Sequence, residues 1–391
     1  MTQSFIPTVR TLMGPGPSDV NPRILNAMAK PTIGHLDPEF IRLMDEIKGM
    51  LQYAFQTKNQ LTIPVSAPGS AGMETCFVNL VEPGDKVIVL QNGVFGGRQA
   101  DNVRRFGGEA IVVEQEWGRA IDPAALEATL KEHGDAKIVS FVHAETSTGA
   151  QSDAKTICEI AARHGCLTIV DCVTSLGGSE VALDAWGADA AYSGTQKCLS
   201  CAPGLSPVSF NDRAVEAIKN RKTQVASWFL DLNLVMGYWG EGQTRAYHHT
   251  APVNALYGLH EALVILEEEG LEQSWQRHID NHNALKAGLE ALGLTFIVPE
   301  SERLVQLNAV SIPEGVDEAA VRKQLLTQYN LEIGAGLGSL AGKVWRIGLM
   351  GYASNPKNVL LCVNALESVL SQYNAHINKG VATAAIAAAY Q

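Results

Sequence analysis

The chain has 391 residues, a formal net charge of −11, 46% hydrophobic residues and 18% charged residues. This is the composition of an ordinary globular protein, long enough for one large and one small domain. The acidic balance argues against a nucleic-acid partner, which needs a basic footprint, and no apolar run approaches the ~20 residues of a membrane span.

In chain order, residues 1–20 read as an irregular arm. Gly14-Pro-Gly-Pro-Ser18 suits neither a helix nor a central strand, because its prolines lack a donor and its glycines free the backbone. A helix is expected from Asn21-Pro22, with Asn as cap and Pro at the first position. A second is expected over 40–55, where Phe40, Ile41, Met44, Ile47 and Leu51 recur at helical spacing. From Leu61 onward, short β-rich runs alternate with helix-length segments. Strands are predicted near 61–65, 86–90, 110–114, 137–142, 167–171, 188–192 and 205–209. Helices are predicted over 70–81, 97–106, 123–133 and 153–164. Apolar strands separated by helices imply an α/β fold whose mostly parallel sheet is covered on both faces. Residues 211–250 are less regular and rich in aromatics. A long helix broken near Gly270 follows, then strands at 294–298, 305–311 and 343–347, a helix over 356–373 and an alanine-rich, helix-prone tail. The expected organisation is an arm (1–20), a large domain (21–279) and a smaller α+β domain with a helical tail (280–391).

Ligands of parallel α/β sheets bind outside the carboxyl ends of the strands, and the notable residues gather there. Leu167-Thr-Ile-Val-Asp171 is a buried strand ending in a carboxylate, and Ala191-Tyr-Ser-Gly-Thr-Gln-Lys197 carries the next strand to a single lysine. That pair is what pyridoxal phosphate (PLP) chemistry needs. The amine holds the aldehyde as a Schiff base, and the carboxylate keeps the pyridine nitrogen protonated. Gly69 and Ser70 open a helix whose free N–H groups could hold a phosphate, and Gln196 could add a donor. Phe95 on a glycine-rich loop fits either a core position or the face of a flat ring. Thr146, in His143-Ala-Glu-Thr146-Ser-Thr-Gly149, is either a turn former or a donor to a ring oxygen. Tyr247-His-His-Thr250 precedes a helix, where capping and phosphate binding are both open. Arg346 lies in an apolar strand, so it is either ion-paired or reserved for a substrate carboxylate.

Seven scattered cysteines fit reduced thiols better than a disulfide framework. Cys198 and Cys201 form a single Cys-x-x-Cys pair without the second pair a zinc site uses, so no metal is expected. The start lacks a basic region followed by an apolar one, and a cytoplasmic setting is expected.

Taken together, these residues resemble the class V branch of the fold-type I PLP-dependent aminotransferases, with its alanine–glyoxylate and serine–glyoxylate members. The motifs are Gly14-Pro-Gly-Pro-Ser18, His143-Ala-Glu-Thr-Ser-Thr-Gly149, Val170-Asp171, Ser175-Leu-Gly-Gly178, Ser193-Gly-Thr-Gln-Lys197, Tyr247-His-His-Thr250 and Gly342-Lys-Val-Trp-Arg-Ile-Gly348. The resemblance implies a seven-stranded, mostly parallel sheet and a homodimer with shared active sites. It assigns Lys197 to the Schiff base and proton transfer, and Asp171 to the pyridinium. Phe95 would stack on the ring, where the family often has Trp, and Thr146 would sit near the 3′-oxygen. Gly69, Ser70 and Gln196 would bind phosphate, with Tyr247 and Thr250 reaching in from the other subunit. Arg346, His35 and Gly16 would bind substrate. The implied reaction is ping-pong between a small amino acid and a 2-oxo acid, with alanine or serine as donor and glyoxylate as acceptor. The wording around Lys197 and the tail also resemble the ureidoglycine–glyoxylate branch. That branch tends to carry Gln at the position of His35 and Asn at that of Tyr247. A pyridoxamine–pyruvate enzyme has a more divergent lysine motif. A PLP lyase such as a cysteine desulfurase would need a nucleophilic Cys near the substrate.

Overall fold

A computed structural model describes residues 2–240, 245–373 and 375–391. Residues 241–244, part of the aromatic-rich stretch, lie outside the described residues. The chain begins with β1 (Thr11–Leu12), α1 (Pro22–Met28) and α2 (Pro38–Ala54). The side chains of Asn21 and Asp37 cap α1 and α2, and a proline takes the first turn of each helix, where a missing N–H costs nothing.

The alternating region comprises β2 (Leu61–Val65), α3 (Gly69–Leu80), β3 (Lys86–Gln91), α4 (Val94–Arg105), β4 (Glu109–Glu114), α5 (Pro123–Glu132) and β5 (Ile138–Val142). A short hairpin, β6 (Ala144–Glu145) and β7 (Ala150–Gln151), interrupts it. It resumes with α6 (Ala154–Arg163), β8 (Leu167–Asp171), α7 (Leu183–Trp186), β9 (Ala190–Tyr192) and β10 (Ser206–Phe210). The seven-stranded sheet has the order β2-β10-β9-β8-β5-β3-β4. Only β10 runs against its neighbours. Every residue of β5 and β8 is buried, because helices cover both faces, and this is why these strands read as unbroken apolar runs. The carboxyl ends of β2, β3, β5, β8 and β9 therefore open on one edge of the sheet.

Next come α8 (Asp212–Lys219), α9 (Leu232–Trp239), α10 (Val253–Glu269) and α11 (Leu271–Ala291). Gly270, at φ +86°, breaks the last two apart. The remainder is β11 (Leu307–Ser311), α12 (Glu318–Tyr329), β12 (Leu331–Glu332), β13 (Gly334–Ala335), β14 (Val344–Gly348), α13 (Pro356–Leu370) and α14 (Ala382–Ala389). A three-stranded antiparallel sheet, β11-β14-β13, places Arg346 on its central strand. Buried apolar side chains form two main clusters. One gathers the large sheet and its helices, and the second gathers Ala284 onward together with Met13.

Two expectations are modified and a third is met. The arm is not wholly irregular: β1 pairs in parallel with β12, and Met13 O accepts from Gly348 N, so the arm is sewn onto the second cluster. A two-residue strand with a partner so far along the chain leaves no local pattern. Residues 294–298 run beside β11 with only an isolated bridge, Phe296 to Val310, and Pro299 stops the run before a ladder extends. The alanine-rich tail forms α14, which buries Ala382 and Ile386 in the second cluster.

Candidate active site

Asp171 ends β8, and Lys197 lies a few residues beyond β9, its parallel neighbour. Both line a cavity of about 180 Å³ at the carboxyl edge of the sheet, with Gly69, Ser70, Phe95, Thr146 and Gln196. The turns after five different strands thus converge on one space. Asp171 is 4% exposed and Lys197 is 8% exposed. Asp171 Oδ1 accepts from Val173 N at 2.8 Å, and Oδ2 accepts from the Tyr192 hydroxyl at 2.8 Å. Burial nonetheless pushes its carboxyl up to about 7, against the pull of those donors. Burial, helped by nearby Arg346, brings the Lys197 amine down to about 8. A depressed amine has more of the neutral, nucleophilic form near neutral pH.

The arm closes over the lysine. Lys197 Nζ donates to Pro15 O. Gly16 has φ +99°, and a Cβ there would lie 2.5 Å from Lys197 Nζ. Only glycine fits that conformation in that space. The arm thus packs directly against the lysine side chain at Pro15 and Gly16.

At the other end of the cavity, Gly69 and Ser70 form the first turn of α3. The N-cap Pro68 has no side chain to cap that turn, so its N–H groups are available to an anion. The buried Oε1 of Gln196 has no hydrogen-bond partner. Phe95, in the first turn of α4, lines the cavity, and the Arg98 guanidinium lies 4.9 Å from its ring centroid.

Arg346 is 6% exposed and does not itself line the cavity. Its Nε donates to Ala335 O at 2.6 Å and its Nη1 to Thr146 O at 3.0 Å. No ion pair reaches it among the described residues, and burial lowers its guanidinium to about 10. Arg346 is therefore held by carbonyls next to Thr146, with donors left over.

His35, Tyr247 and Thr250 stand apart from the cavity. The His35 and Tyr247 rings are 5.3 Å apart, and Tyr247 is 63% exposed. Thr250 caps nothing, since the N-cap of α10 is Pro252. His249 bonds Ser66 Oγ at 2.7 Å and His248 stacks on Trp228, so these two histidines do pack. Sequence reasoning missed Tyr192 as the partner of Asp171. It also missed Gln99, whose Nε2 donates to the Tyr192 hydroxyl at 3.0 Å. The available signal was Tyr192 at the end of β9, since a fully buried phenol must find a partner.

The cavity fits PLP. An amine stands near one side, a buried carboxylate lies within it, an aromatic side chain borders it, and an uncapped helix start can take the phosphate, with the Nε2 of Gln196 as a further donor beside it. When bound, PLP supplies an aldehyde for an amine and a pyridinium that withdraws electrons. Fold and pocket together define a fold-type I PLP enzyme. The class-V aminotransferase family matches residues 23–356, and the chain belongs to that family; it is a PLP-dependent aminotransferase. It is 40% identical over 363 residues to the alanine–glyoxylate aminotransferase of Rattus norvegicus, covering 92% of this chain and 87% of the relative. An alanine–glyoxylate aminotransferase structure from Nostoc sp. superposes with TM-score 0.93 at 46% identity, covering 95% of this chain and 97% of the other. The ureidoglycine–glyoxylate aminotransferase of Bacillus subtilis superposes with TM-score 0.97 at 39% identity, covering 99% and 100%.

The Asp171 carboxyl has a testable consequence for the cofactor-free protein. Its folded value of about 7 lies above the unfolded value near 3.9. The folded state therefore binds more protons between those values, and stability falls as pH rises from about 4 to about 7. Asp171→Asn removes this loss. In urea denaturation, the variant should gain on the wild type by on the order of 3 kcal/mol between pH 4 and pH 8. Parallel curves for the two proteins would show that Asp171 is not desolvated as described.

Proposed function

We propose that this chain transfers the amino group of alanine or serine to glyoxylate, giving glycine. Lys197 Nζ takes the proton from the donor's Cα and returns it during transfer. The Asp171 carboxylate would hold the pyridine N–H and keep it protonated. The donor and glyoxylate use the same carboxylate contact at Arg346, as a ping-pong exchange requires. The observation that carries the choice of donor is the contact between His35 and Tyr247. These are the two positions at which the ureidoglycine branch tends to carry Gln and Asn. Here two aromatic rings meet at those positions, apart from this chain's own cavity, and neither carries the side-chain amide that a ureido group would pair with; in the proposed homodimer they would border the site of the second copy. The extent of the superposition on the Bacillus subtilis enzyme supports ureidoglycine as the second reading. A lyase is disfavoured because all seven cysteines are buried and none lines the cavity.

The test is a half-reaction screen of the holoenzyme. Alanine, serine and freshly made ureidoglycine are each added while the cofactor absorbance is followed, and glyoxylate is then added. Alanine or serine should convert the cofactor rapidly, and glyoxylate should restore it. Conversion by ureidoglycine alone would replace this reading with the second one.

A homodimer is part of the same proposal. Tyr247 and Thr250 are proposed to complete the phosphate site of a second copy. Their exposure, beside exposed Trp228, Phe229 and Leu234, supports this. Sedimentation should give twice the 41.9 kDa chain mass, and a fully active monomer would remove the shared site.

A further inference from the structure

Glu145 ends β6 beside the cavity and is fully buried, with no cation paired to it among the described residues. Its carboxylate accepts instead from N–H and O–H groups. Ser147 N and Ser147 Oγ donate to Oε1 at 3.0 and 2.6 Å, and Phe95 N donates to Oε2 at 3.2 Å. Ser147 Oγ in turn accepts from Val94 N at 2.9 Å. Val94 and Phe95 begin α4, whose own N-cap is Gly93 and has no side chain to offer. The helix is therefore capped by Glu145 and Ser147 from another part of the chain. A carboxylate at this end is favoured by the helix dipole. Close approach makes the arrangement specific: a Cβ at Gly93 would lie 2.4 Å from both Glu145 Cδ and Ser147 Oγ.

The same strip faces Arg346. Thr146, between the two capping residues, gives its carbonyl to Arg346 Nη1 at 3.0 Å, and its side chain lines the cavity. One short segment thus touches the backbone that carries Phe95 and the guanidinium of Arg346. We propose that Glu145 is a positioning residue of the active site. With Ser147 it fixes the start of α4, and so the Phe95 ring against the cofactor face; through Thr146 O it fixes Arg346 at the carboxylate position. This rests on the reading of Phe95 and Arg346 given above. A mere helix cap would contribute stability and leave binding alone.

The test uses the holoenzyme and three variants. Glu145→Gln keeps the shape, removes the charge and turns an N–H₂ group toward amides that cannot accept from it. Asp153→Ala removes an ordinary cap, that of α6, where Asp153 accepts from Thr156 N at 3.0 Å. Phe95→Ala removes the ring itself. PLP affinity is measured by titration of the cofactor-free proteins, glyoxylate KM by steady-state kinetics, and stability by thermal unfolding. Glu145→Gln should weaken PLP binding about tenfold and raise the glyoxylate KM by about fivefold or more, while Asp153→Ala lowers stability and moves neither. If Glu145→Gln loses stability as Asp153→Ala does and both binding measures stay within about twofold of wild type, the proposal is overturned. If Glu145→Gln does not fold, Ser147→Ala decides: a smaller loss of both affinities supports the proposal and unchanged affinities overturn it. Unchanged PLP affinity in Phe95→Ala would instead remove the ring-face reading beneath it.

Discussion

Three charges taken out of water without ion-pair partners are the constraint on which this structure turns. Lys197, Asp171 and Arg346 are each more than nine-tenths hidden, and burial opposes the charged form of every one of them. In the proposed reading, a substrate carboxylate at Arg346 and a protonated ring nitrogen at Asp171 would supply opposite charges to two of them. Ligands that bind only the folded state then stabilise it by mass action. The pocket is costly when bare and favourable when filled, the arrangement expected of a site built for electrostatic work.

Holding such groups in place falls to the backbone. Ser18 Oγ and Ser200 N both donate to Lys197 O, at 2.8 and 3.0 Å. Ser200, itself at φ +52°, accepts from Tyr352 N, and the neighbouring Gly351 N donates to His278 Nε2 at 2.9 Å. The arm, the loop that bears the lysine, α11 and the turn after β14 thus share one set of hydrogen bonds. Lys197 and Arg346 thus keep a fixed relation although they come from different sheets.

Much of the fold was legible because its signals are local. The strands of the large sheet, all but the half-exposed edge strand β4 largely buried on both faces, read as short β-rich runs, and the predicted ranges lie within a few residues of the observed bounds. Asp171 and Lys197 were legible because a carboxylate at the end of a buried strand and a lysine just beyond its neighbour need an explanation. What was not legible depends on residues distant in sequence. Tyr192 against Asp171 requires the register of β8 and β9. The cap of α4 requires the hairpin after β5 to lie beside the loop after β3. The pairing of β1 with β12 joins residues some 320 positions apart. For Arg346 the sequence leaves an ion pair and a substrate carboxylate both open, and its carbonyl partners, Ala335 O and Thr146 O, come from other parts of the chain and leave no local signal.

The central claim is that Lys197 is the amine that carries the cofactor. It is tested most directly by treating the wild-type holoenzyme with sodium borohydride, digesting it and locating the reduced phosphopyridoxyl group by mass spectrometry. The account predicts a single labelled peptide, with the group on Lys197. A label on any other lysine, or a holoenzyme that yields no labelled peptide at all, would contradict it.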